Sequence, residues 1–211
     1  MDRTYDAMTE LLLVRHGEST WNAAGCVQGQ TASPELTDLG RRQAAGVAAQ
    51  LLGRGPRRLL TSDLVRARQS AEIIGKALGL EPEADPLLRE RHYGTWQGMN
   101  IADAVRVARS LADHQRLPGG ESLIDVRRRW RTLLAELRGA PGPVVLVTHG
   151  NLIAEAVGAA DPENGSVNPD PARVAGHTCP LPLDGSPDVR GCRQRRSARE
   201  AGEIPAWSSP L

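Results

Sequence analysis

The sequence of 211 residues contains no phenylalanine, and only 3% of its residues are aromatic. Its basic side chains are almost all arginine, because Lys76 is the only lysine among the 26 basic residues. Any anion-binding site must therefore use guanidinium groups, whose planar fork can hold a phosphate with two hydrogen bonds. The net charge of +1 gives the whole chain no electrostatic bias toward nucleic acid or membrane surfaces.

Features typical of several other protein classes are missing as well. No stretch approaches the run of about 18 apolar residues that crosses a bilayer, so we expect no membrane-spanning segment. Residues 1–10 are polar and do not resemble a secretory signal. Cys26, Cys179 and Cys192 match no zinc-binding spacing, and their odd number makes a poor disulfide framework. We therefore predict a cytoplasmic protein without a metal site.

Two short apolar runs each lead directly into a histidine followed by a glycine. Leu11–Val14 precedes Arg15-His16-Gly17, and Val144–Val147 precedes Thr148-His149-Gly150. An unbroken apolar run of this length is typical of a strand buried on both faces of a parallel sheet. Because such sheets bind ligands outside the carboxyl ends of their strands, we expect both histidines at one site.

Helical patterns alternate with strand patterns through the first 160 residues. We predict helices near residues 37–52, 64–78, 101–112, 121–137 and 152–159, and further strands near 57–61 and 80–84. Thr37 or Asp38 can cap the first of these helices, and Ser62 or Asp63 can cap the second. This alternation predicts an α/β fold, a three-layer sandwich with a mostly parallel central sheet. We interpret Arg127, Arg128, Arg129 and Arg131 as the solvated side of the helix at 121–137.

The composition changes after residue 160. Eight of the fifteen prolines lie within residues 161–211, where no helical or strand periodicity persists. We therefore predict one folded domain over residues 9–160, followed by an atypical proline-rich tail over residues 161–211. Such a tail is expected to be extended or partly disordered.

Arg66 adds a second guanidinium to the site expected at the strand ends. It lies about one turn into the helix after Thr61-Ser62, so its side chain should lean back toward the helix amino terminus. That terminus also presents free N–H groups suited to an anion. We interpret the convergence of Arg15, His16, Arg66 and His149 as a phosphate pocket.

Six sequence blocks occur in the order typical of one enzyme family. They are Arg15-His16-Gly17-Glu18 with Trp21-Asn22 and Gln28-Gly29; Leu36-Thr37 with Gly40 and Gln43-Ala44; Ser62-Asp63-Leu64 with Arg66-Ala67; Leu88-Arg89-Glu90 with Gly94 and Trp96-Gln97-Gly98; Gly119-Gly120-Glu121-Ser122; and Val147-Thr148-His149-Gly150. Across these blocks the chain resembles the histidine phosphatase superfamily, in its phosphoglycerate-mutase-like branch. The resemblance implies a phosphoglycerate-mutase-like fold and a catalytic domain over residues 9–160.

The resemblance also implies roles for individual side chains. His16 would be the nucleophile that becomes phosphohistidine, and Glu90 would donate a proton to the leaving group. The phosphoryl oxygens would be held by Arg15, Asn22, Arg66 and His149, with Gln28 as a further contact. No cofactor is implied.

Each of these roles requires a particular protonation state of the side chain. His16 must attack as a neutral imidazole, held by a hydrogen bond on its other nitrogen. Glu90 must be protonated, which requires burial to raise its pKa. His149 is expected to assist the two arginines as a cation, since phosphoryl transfer depends on positioning and charge stabilisation.

Three functions remain open at this point. We favour a phosphomonoesterase acting on a small phosphorylated metabolite, because the Val27-Gln28-Gly29 and Gly119-Gly120-Glu121-Ser122 segments are phosphatase-like. A cofactor-dependent phosphoglycerate mutase is the alternative, supported by Glu90-Arg91-His92-Tyr93-Gly94. A non-catalytic phosphate-binding protein is the alternative of another class, suggested by the unusual tail. No nucleic-acid or membrane partner is expected, and a homodimer is left open.

Overall fold

The computed structural model describes residues 9–108 and 110–157, so the predicted tail at 161–211 lies outside the described residues. The four strands are β1 (Leu11–Arg15), β2 (Arg58–Thr61), β3 (Pro82–Ala84) and β4 (Val144–Thr148). The helices are α1 (Thr20–Ala23), α2 (Asp38–Leu51), α3 (Val65–Leu78), α4 (Ile101–Ala108), α5 (Leu123–Glu136) and α6 (Gly150–Val157). Short 3₁₀ turns occupy Leu52–Arg54, Pro86–Leu88 and Gly94–Trp96. None of the helices in the described ranges has the length and apolar character needed to span a membrane.

The strands form one parallel sheet in the order β1-β4-β2-β3. β1 and β4 lie side by side, and their register pairs Arg15 with Thr148. The backbone N–H of His16 donates to the carbonyl of Thr148 at 3.0 Å, which extends the ladder by one residue. His16 and His149 therefore leave neighbouring strands at the same edge of the sheet.

Alternate residues of the strands enter two separate apolar cores. Leu11 and Leu13 face the core that contains residues of α5 and α6. Leu12 and Val14 face the opposite core, with residues of α2 and α3. This double burial explains why the strands read as unbroken apolar runs. The α/β prediction of a three-layer sandwich is confirmed.

The structure differs from the predicted elements in two places near the site. A short helix, α1, occupies part of the predicted loop, because Ser19 and Asn22 form a reciprocal capping box around its first turn. Ser62 and Asp63 do not cap α3, whose N-cap residue is Leu64 without a side-chain cap. Asp63 instead forms a bidentate ion pair with Arg89, which leaves the amino terminus of α3 without a competing carboxylate cap.

Candidate active site

The two histidines at the carboxyl edge of the sheet face each other. Both are buried, at 2% exposure for His16 and 0% for His149. Their ring centroids are 5.0 Å apart, with an angle of 61° between the ring planes. The paired ends of β1 and β4 therefore place two imidazoles within reach of one small ligand.

The hydrogen bonds of His16 define its tautomer. Its Nδ1 lies 2.7 Å from the carbonyl oxygen of Gly17, which can only accept, so Nδ1 carries the proton and donates it. Nε2 accepts from Nε of Arg66 at 3.3 Å. Burial, with the charges of Arg66 and Arg15, lowers the pKa of His16 well below 6.5. The imidazole is therefore neutral, with the Nε2 lone pair directed into the site.

His149 has unsatisfied polar atoms in the interior of the protein. Within the described residues neither ring nitrogen has a hydrogen-bond partner, although both are buried. Such orphaned groups are costly and call for a ligand or water. Burial lowers the pKa of His149, and the charge of Arg66 lowers it further. The cationic form predicted from the sequence thus requires an added negative charge, such as a bound phosphoryl group.

Arg66 lies at the centre of the site and is completely buried. Besides its bond to His16, its Nη2 donates to the carbonyl of Gly29 at 2.7 Å, and its Nη1 donates to the carbonyl of Thr31 at 3.1 Å. Burial lowers its pKa to about 10, so the side chain remains charged at neutral pH. Two backbone carbonyls hold the guanidinium beside His16.

Close backbone contact explains the glycine after His16. A Cβ at Gly17 would lie 2.2 Å from the carbonyl oxygen of Gly40, at the start of α2. The N–H of Gly17 donates to Oγ of Ser70 at 3.0 Å, and Ser70 donates in turn to the carbonyl of Arg66 at 2.8 Å. The end of β1 is therefore fixed to α3, the helix that carries Arg66.

Asn22 and Gln28 meet at Ser19, which is completely buried. Oδ1 of Asn22 accepts from the backbone N–H of Ser19 at 3.1 Å. Oε1 of Gln28 accepts from Oγ of Ser19 at 2.6 Å. Because these bonds use the carbonyl ends of both amides, the NH₂ groups remain as the donors suited to a phosphoryl oxygen. Their predicted phosphate contacts stay predictions.

Glu90 is 8% exposed, and burial raises the pKa of its carboxyl above the ordinary 4.5. Oε1 accepts from the N–H of Arg91 at 2.7 Å, and Oε2 accepts from the N–H of Asn151 at 3.4 Å. Asn151 lies two residues after His149, so one carboxyl oxygen of Glu90 lies near the backbone that follows the second histidine. The charges of Arg66 and Arg15 oppose the rise in pKa without overcoming burial.

The segment that carries Glu90 (residues 87–92, here the acid segment) is held by one guanidinium. Arg129 of α5 donates to the carbonyls of Leu87, Arg89 and Glu90 at 2.8, 3.0 and 3.3 Å. Its Nε and Nη2 also donate to the two carboxylate oxygens of Glu121 at 2.9 and 3.0 Å. The interpretation of Arg129 as a solvated residue was wrong, since its side chain is only 18% exposed.

A signal for Arg129 was present in the sequence. It lies three residues after Val126 and four before Leu133, both of which are completely buried on α5. That spacing places Arg129 on the inward stripe of the helix. Arg128, with a side chain 74% exposed, does lie on the solvated side.

The structure therefore brings together most of the predicted site residues. Arg15 ends β1 beside His16, and its charge acts on His16, His149 and Glu90. We define the phosphate pocket as the set Arg15, His16, Arg66 and His149. Over residues 9–108 and 110–157, no cluster of three or more histidine, cysteine or acidic side chains could hold a metal ion.

The fold and this site define an α/β enzyme of the class that acts on phosphate esters. The family model of the histidine phosphatase superfamily (branch 1) matches residues 11–164. The chain belongs to this superfamily, as its sequence blocks predicted. The predicted reaction class, phosphomonoester hydrolysis, is likewise confirmed, and the mutase activity remains an alternative.

Two relatives illustrate the range of activities among similar proteins. The chain is 42% identical over 160 residues to a glucosyl-3-phosphoglycerate phosphatase of Mycobacterium tuberculosis, covering 68% of this chain and 71% of that protein. It is 39% identical over 160 residues to a probable phosphoglycerate mutase, GpmB, of Photorhabdus laumondii, covering 72% and 74%.

A solved structure gives the same likeness in three dimensions. The mycobacterial glucosyl-3-phosphoglycerate phosphatase in complex with VO3 superposes with a TM-score of 0.62 and 40% identity. The match covers 70% of this chain and 79% of that one.

Proposed function

We propose that the chain hydrolyses a small phosphomonoester that carries a carboxylate near the ester, through a phosphohistidine on His16. The observation that supports this most strongly is the neutral His16, whose Nε2 accepts from Arg66 and whose ring centroid lies 5.0 Å from that of the unpartnered His149. A ligand placed there would need oxygens that accept several hydrogen bonds and carry negative charge. A phosphoryl group has both properties.

In the first step Nε2 of His16 attacks phosphorus and the ester P–O bond breaks. Arg66 and Arg15 stabilise the charge on the phosphoryl oxygens, and the dianion raises the pKa of His149 so that it can donate as well. Glu90, whose protonated form is favoured by burial, gives its proton to the departing alkoxide. The products are an alcohol and phosphohistidine.

In the second step water attacks the phosphohistidine. Glu90, now a carboxylate, accepts the proton of the attacking water, and the P–N bond to His16 breaks. Inorganic phosphate leaves, and the site regains neutral His16 and protonated Glu90. The carbonyl of Gly17 holds Nδ1–H in both steps, so the imidazole keeps the same orientation throughout.

The substrate class is inferred from Arg91, which directly follows Glu90 and is only 3% exposed. Its Nε donates to the carbonyl of Glu121, and its guanidinium lies 5.7 Å from the ring centroid of Tyr93. No carboxylate in the described ranges forms an ion pair with Arg91, so a buried cation beside the acid lacks a counter-charge of its own. A substrate carboxylate would supply one, as in phosphoglycerate-type esters named for both relatives.

The mutase alternative is favoured by one specific observation, the 39% identity to a probable phosphoglycerate mutase. In that reaction the phosphohistidine would pass its phosphoryl group to a second hydroxyl instead of water. The same pocket and acid would serve both reactions, so the fate of the phosphohistidine distinguishes them.

One experiment tests the proposal. Purified protein in EDTA is assayed with 3-phosphoglycerate, a glycosylated phosphoglycerate, glycerol phosphate and p-nitrophenyl phosphate, with and without 2,3-bisphosphoglycerate. We expect phosphate release, fastest for the carboxylate-bearing esters, and loss of that preference in Arg91→Gln. Turnover that exceeds hydrolysis and depends on the bisphosphate would favour the mutase. Phosphate binding without turnover of any ester would favour a binding protein.

A further inference from the structure

The Arg129–Glu121 ion pair lies behind the acid segment. Arg129 donates to the carbonyls of Leu87, Arg89 and Glu90, so one side chain fixes three of four consecutive residues. These bonds hold the backbone of Glu90, because the Glu90 carboxyl itself bonds to Arg91 and Asn151. Arg129 can therefore influence where the carboxyl lies without touching a substrate.

Glu121 completes the support from the other side. Its Oε1 and Oε2 both accept from Arg129, and Oε2 also accepts from the N–H of His92 at 2.8 Å. The carbonyl of Glu121 accepts from Nε of Arg91 at 3.0 Å. The pair thus holds the chain on both sides of Glu90, at residues 87–89 and 91–92.

Gln30 connects this support with the phosphate pocket. Its Nε2 donates to the carbonyl of Glu90 at 2.9 Å and reaches Oε2 of Glu121 at 3.4 Å. Its neighbours Gly29 and Thr31 supply the two carbonyls that hold Arg66. The spacing between the acid and the pocket is thus determined by one connected set of hydrogen bonds.

The burial of the Arg129–Glu121 ion pair favours a role in positioning the acid segment over a contribution to the free energy of unfolding alone. The ion pair is largely buried, with side chains 18% exposed on each partner. A pair of this kind adds little net stability compared with apolar residues of similar size, but removing one partner leaves the other charge and several carbonyls unsatisfied. Leu87 and Leu88 of the acid segment pack in the core beside α5, whereas Arg129 holds Arg89 and Glu90 through their carbonyls.

We propose that Arg129 and Glu121 are positioning residues that set the distance between the Glu90 carboxyl and the leaving-group oxygen. The inference rests on the proposed role of Glu90 as proton donor. Displacing a catalytic group by about 1 Å can lower a rate by about 10²-fold. The loss should appear mainly where proton donation matters, because no hydrogen bond joins Arg129 to the phosphate pocket in the described residues. Its charge does lower the pKa of His149, and Arg129→Lys keeps that charge.

The test compares two esters in single-turnover experiments that measure leaving-group release. An alkyl phosphate, glycerol phosphate, needs a proton donor, whereas p-nitrophenyl phosphate releases a stable anion. We expect Arg129→Gln and Glu121→Gln to slow the alkyl ester by about 10- to 100-fold and p-nitrophenyl phosphate by less than about 3-fold. Arg129→Lys should restore part of the rate, since it keeps one donor and the charge.

Arg127→Gln is the matched control. Arg127 lies on the same helix and pairs with Glu155 and Asp113, but it makes no contact with the acid segment. It should leave the rates with both esters unchanged.

Equal losses of rate on both esters in Arg129→Gln, or the same selective loss in Arg127→Gln, would overturn the inference. Inorganic phosphate affinity is measured on each variant, and a weakened affinity that parallels the lost rate would also overturn it, since the pocket should be intact.

A second variant separates this inference from the proposed function. In a Glu90→Gln background, adding Arg129→Gln should slow the alkyl ester no further, since the group it positions is already absent. Multiplying effects would refute the positioning role. If Glu90→Gln itself fails to distinguish the two esters, the proton-donor assignment is at fault. If Glu90→Gln distinguishes them but Arg129→Gln does not, only the inference fails.

Discussion

The phosphate pocket and the acid segment lie at the same edge of the sheet but are held by different kinds of contact. The pocket histidines follow directly from the β1–β4 ladder, and Arg66 projects from a helix packed on that sheet. The acid segment is not part of a strand in the described structure, so no strand pairing holds it. Leu87 and Leu88 pack in the core beside α5. The carbonyls of the segment accept hydrogen bonds from Arg129, Gln30 and Thr148, whose hydroxyl donates to Leu88.

This difference separates two functions of the site. The ladder places His16, the proposed nucleophile, with little freedom, because moving it would require moving a strand buried on both faces. We expect the Glu90 end of the acid segment, beyond the buried Leu88, to shift when Arg129 is replaced. We therefore expect substitutions in the pocket to affect every phosphate ester equally, and substitutions around the acid segment to affect esters according to their leaving group.

Removing the nucleophile should have the largest effect. We expect His16→Ala to lower phosphate release from any ester by about 10⁵-fold, because the variant lacks the imidazole proposed to form the covalent intermediate. Rapid quenching with a radiolabelled substrate should trap a phosphoenzyme in the wild type and none in the variant. His114→Ala, at an exposed position away from the site, is the control. A labelled His16→Ala protein would show that another residue is phosphorylated.

Removing the central cation comes next. We expect Arg66→Ala to slow both alkyl and aryl esters by about 10³-fold, since an arginine on the transferred phosphoryl group contributes about that much. The carbonyls of Gly29 and Thr31 also lose their donor, so the variant should unfold at lower temperature. Arg68→Ala, two residues away and exposed, should change neither property. A loss confined to alkyl esters would mean that Arg66 belongs functionally with the acid segment.

Removing the Glu90 carboxyl should slow alkyl phosphates more than aryl phosphates. We expect Glu90→Gln to slow alkyl phosphates by about 10²-fold and aryl phosphates far less, in line with the usual contribution of a general acid. The measurement is the ratio of kcat/KM for glycerol phosphate and p-nitrophenyl phosphate. Unchanged selectivity between the two esters would contradict a proton-donor role for Glu90.

The pH dependence of kcat/KM should identify the same two groups. His16 must be neutral, and its pKa is lowered by burial, so activity should fall on the acid side only below the ordinary histidine value of 6.5. Glu90 must be protonated, and its pKa is raised from 4.5 by burial, so activity should fall as pH rises through that raised value. We expect a bell-shaped profile for alkyl esters, with His16 on the acid side and Glu90 on the alkaline side, and the loss of the alkaline limb in Glu90→Gln. An alkaline limb that persists in this variant would belong to another group.

The same contrast explains what the sequence could predict. His16 and His149 were predictable because a four- or five-residue apolar run fixes both the strand and the point where it ends. Arg66 was predictable because its position in a helix follows from local spacing. Arg129 was missed because its partners lie about 40 residues away in the sequence, and clusters of arginine on a helix are usually solvated.

The helix caps also show which features of the structure local sequence can predict. Thr37 was expected to cap α2, and its hydroxyl does accept from the N–H of Gly40 at 3.0 Å. Ser62 and Asp63 were expected to cap α3, but Asp63 pairs with Arg89 instead. α1 was missed because its capping box lies within a segment rich in small and polar residues. A local signal therefore predicts a cap only when no distant partner competes for the same side chain.

Removing the side-chain caps of α2 and α5 should have the smallest effects, and it compares the support of the phosphate pocket with that of the acid segment. Thr37→Ala and Ser122→Ala should each lower the free energy of unfolding by about 1 kcal/mol, measured by urea denaturation, because each removes a hydroxyl acceptor from the first turn. Thr37 caps α2, which contacts the pocket through Gly40, whereas Ser122 caps α5 and follows Glu121 directly. If the acid segment depends on α5, Ser122→Ala should also lower the alkyl-to-aryl rate ratio slightly. Thr37→Ala should leave that ratio unchanged, and a reversed pattern would place the support of Glu90 on the α2 side of the sheet.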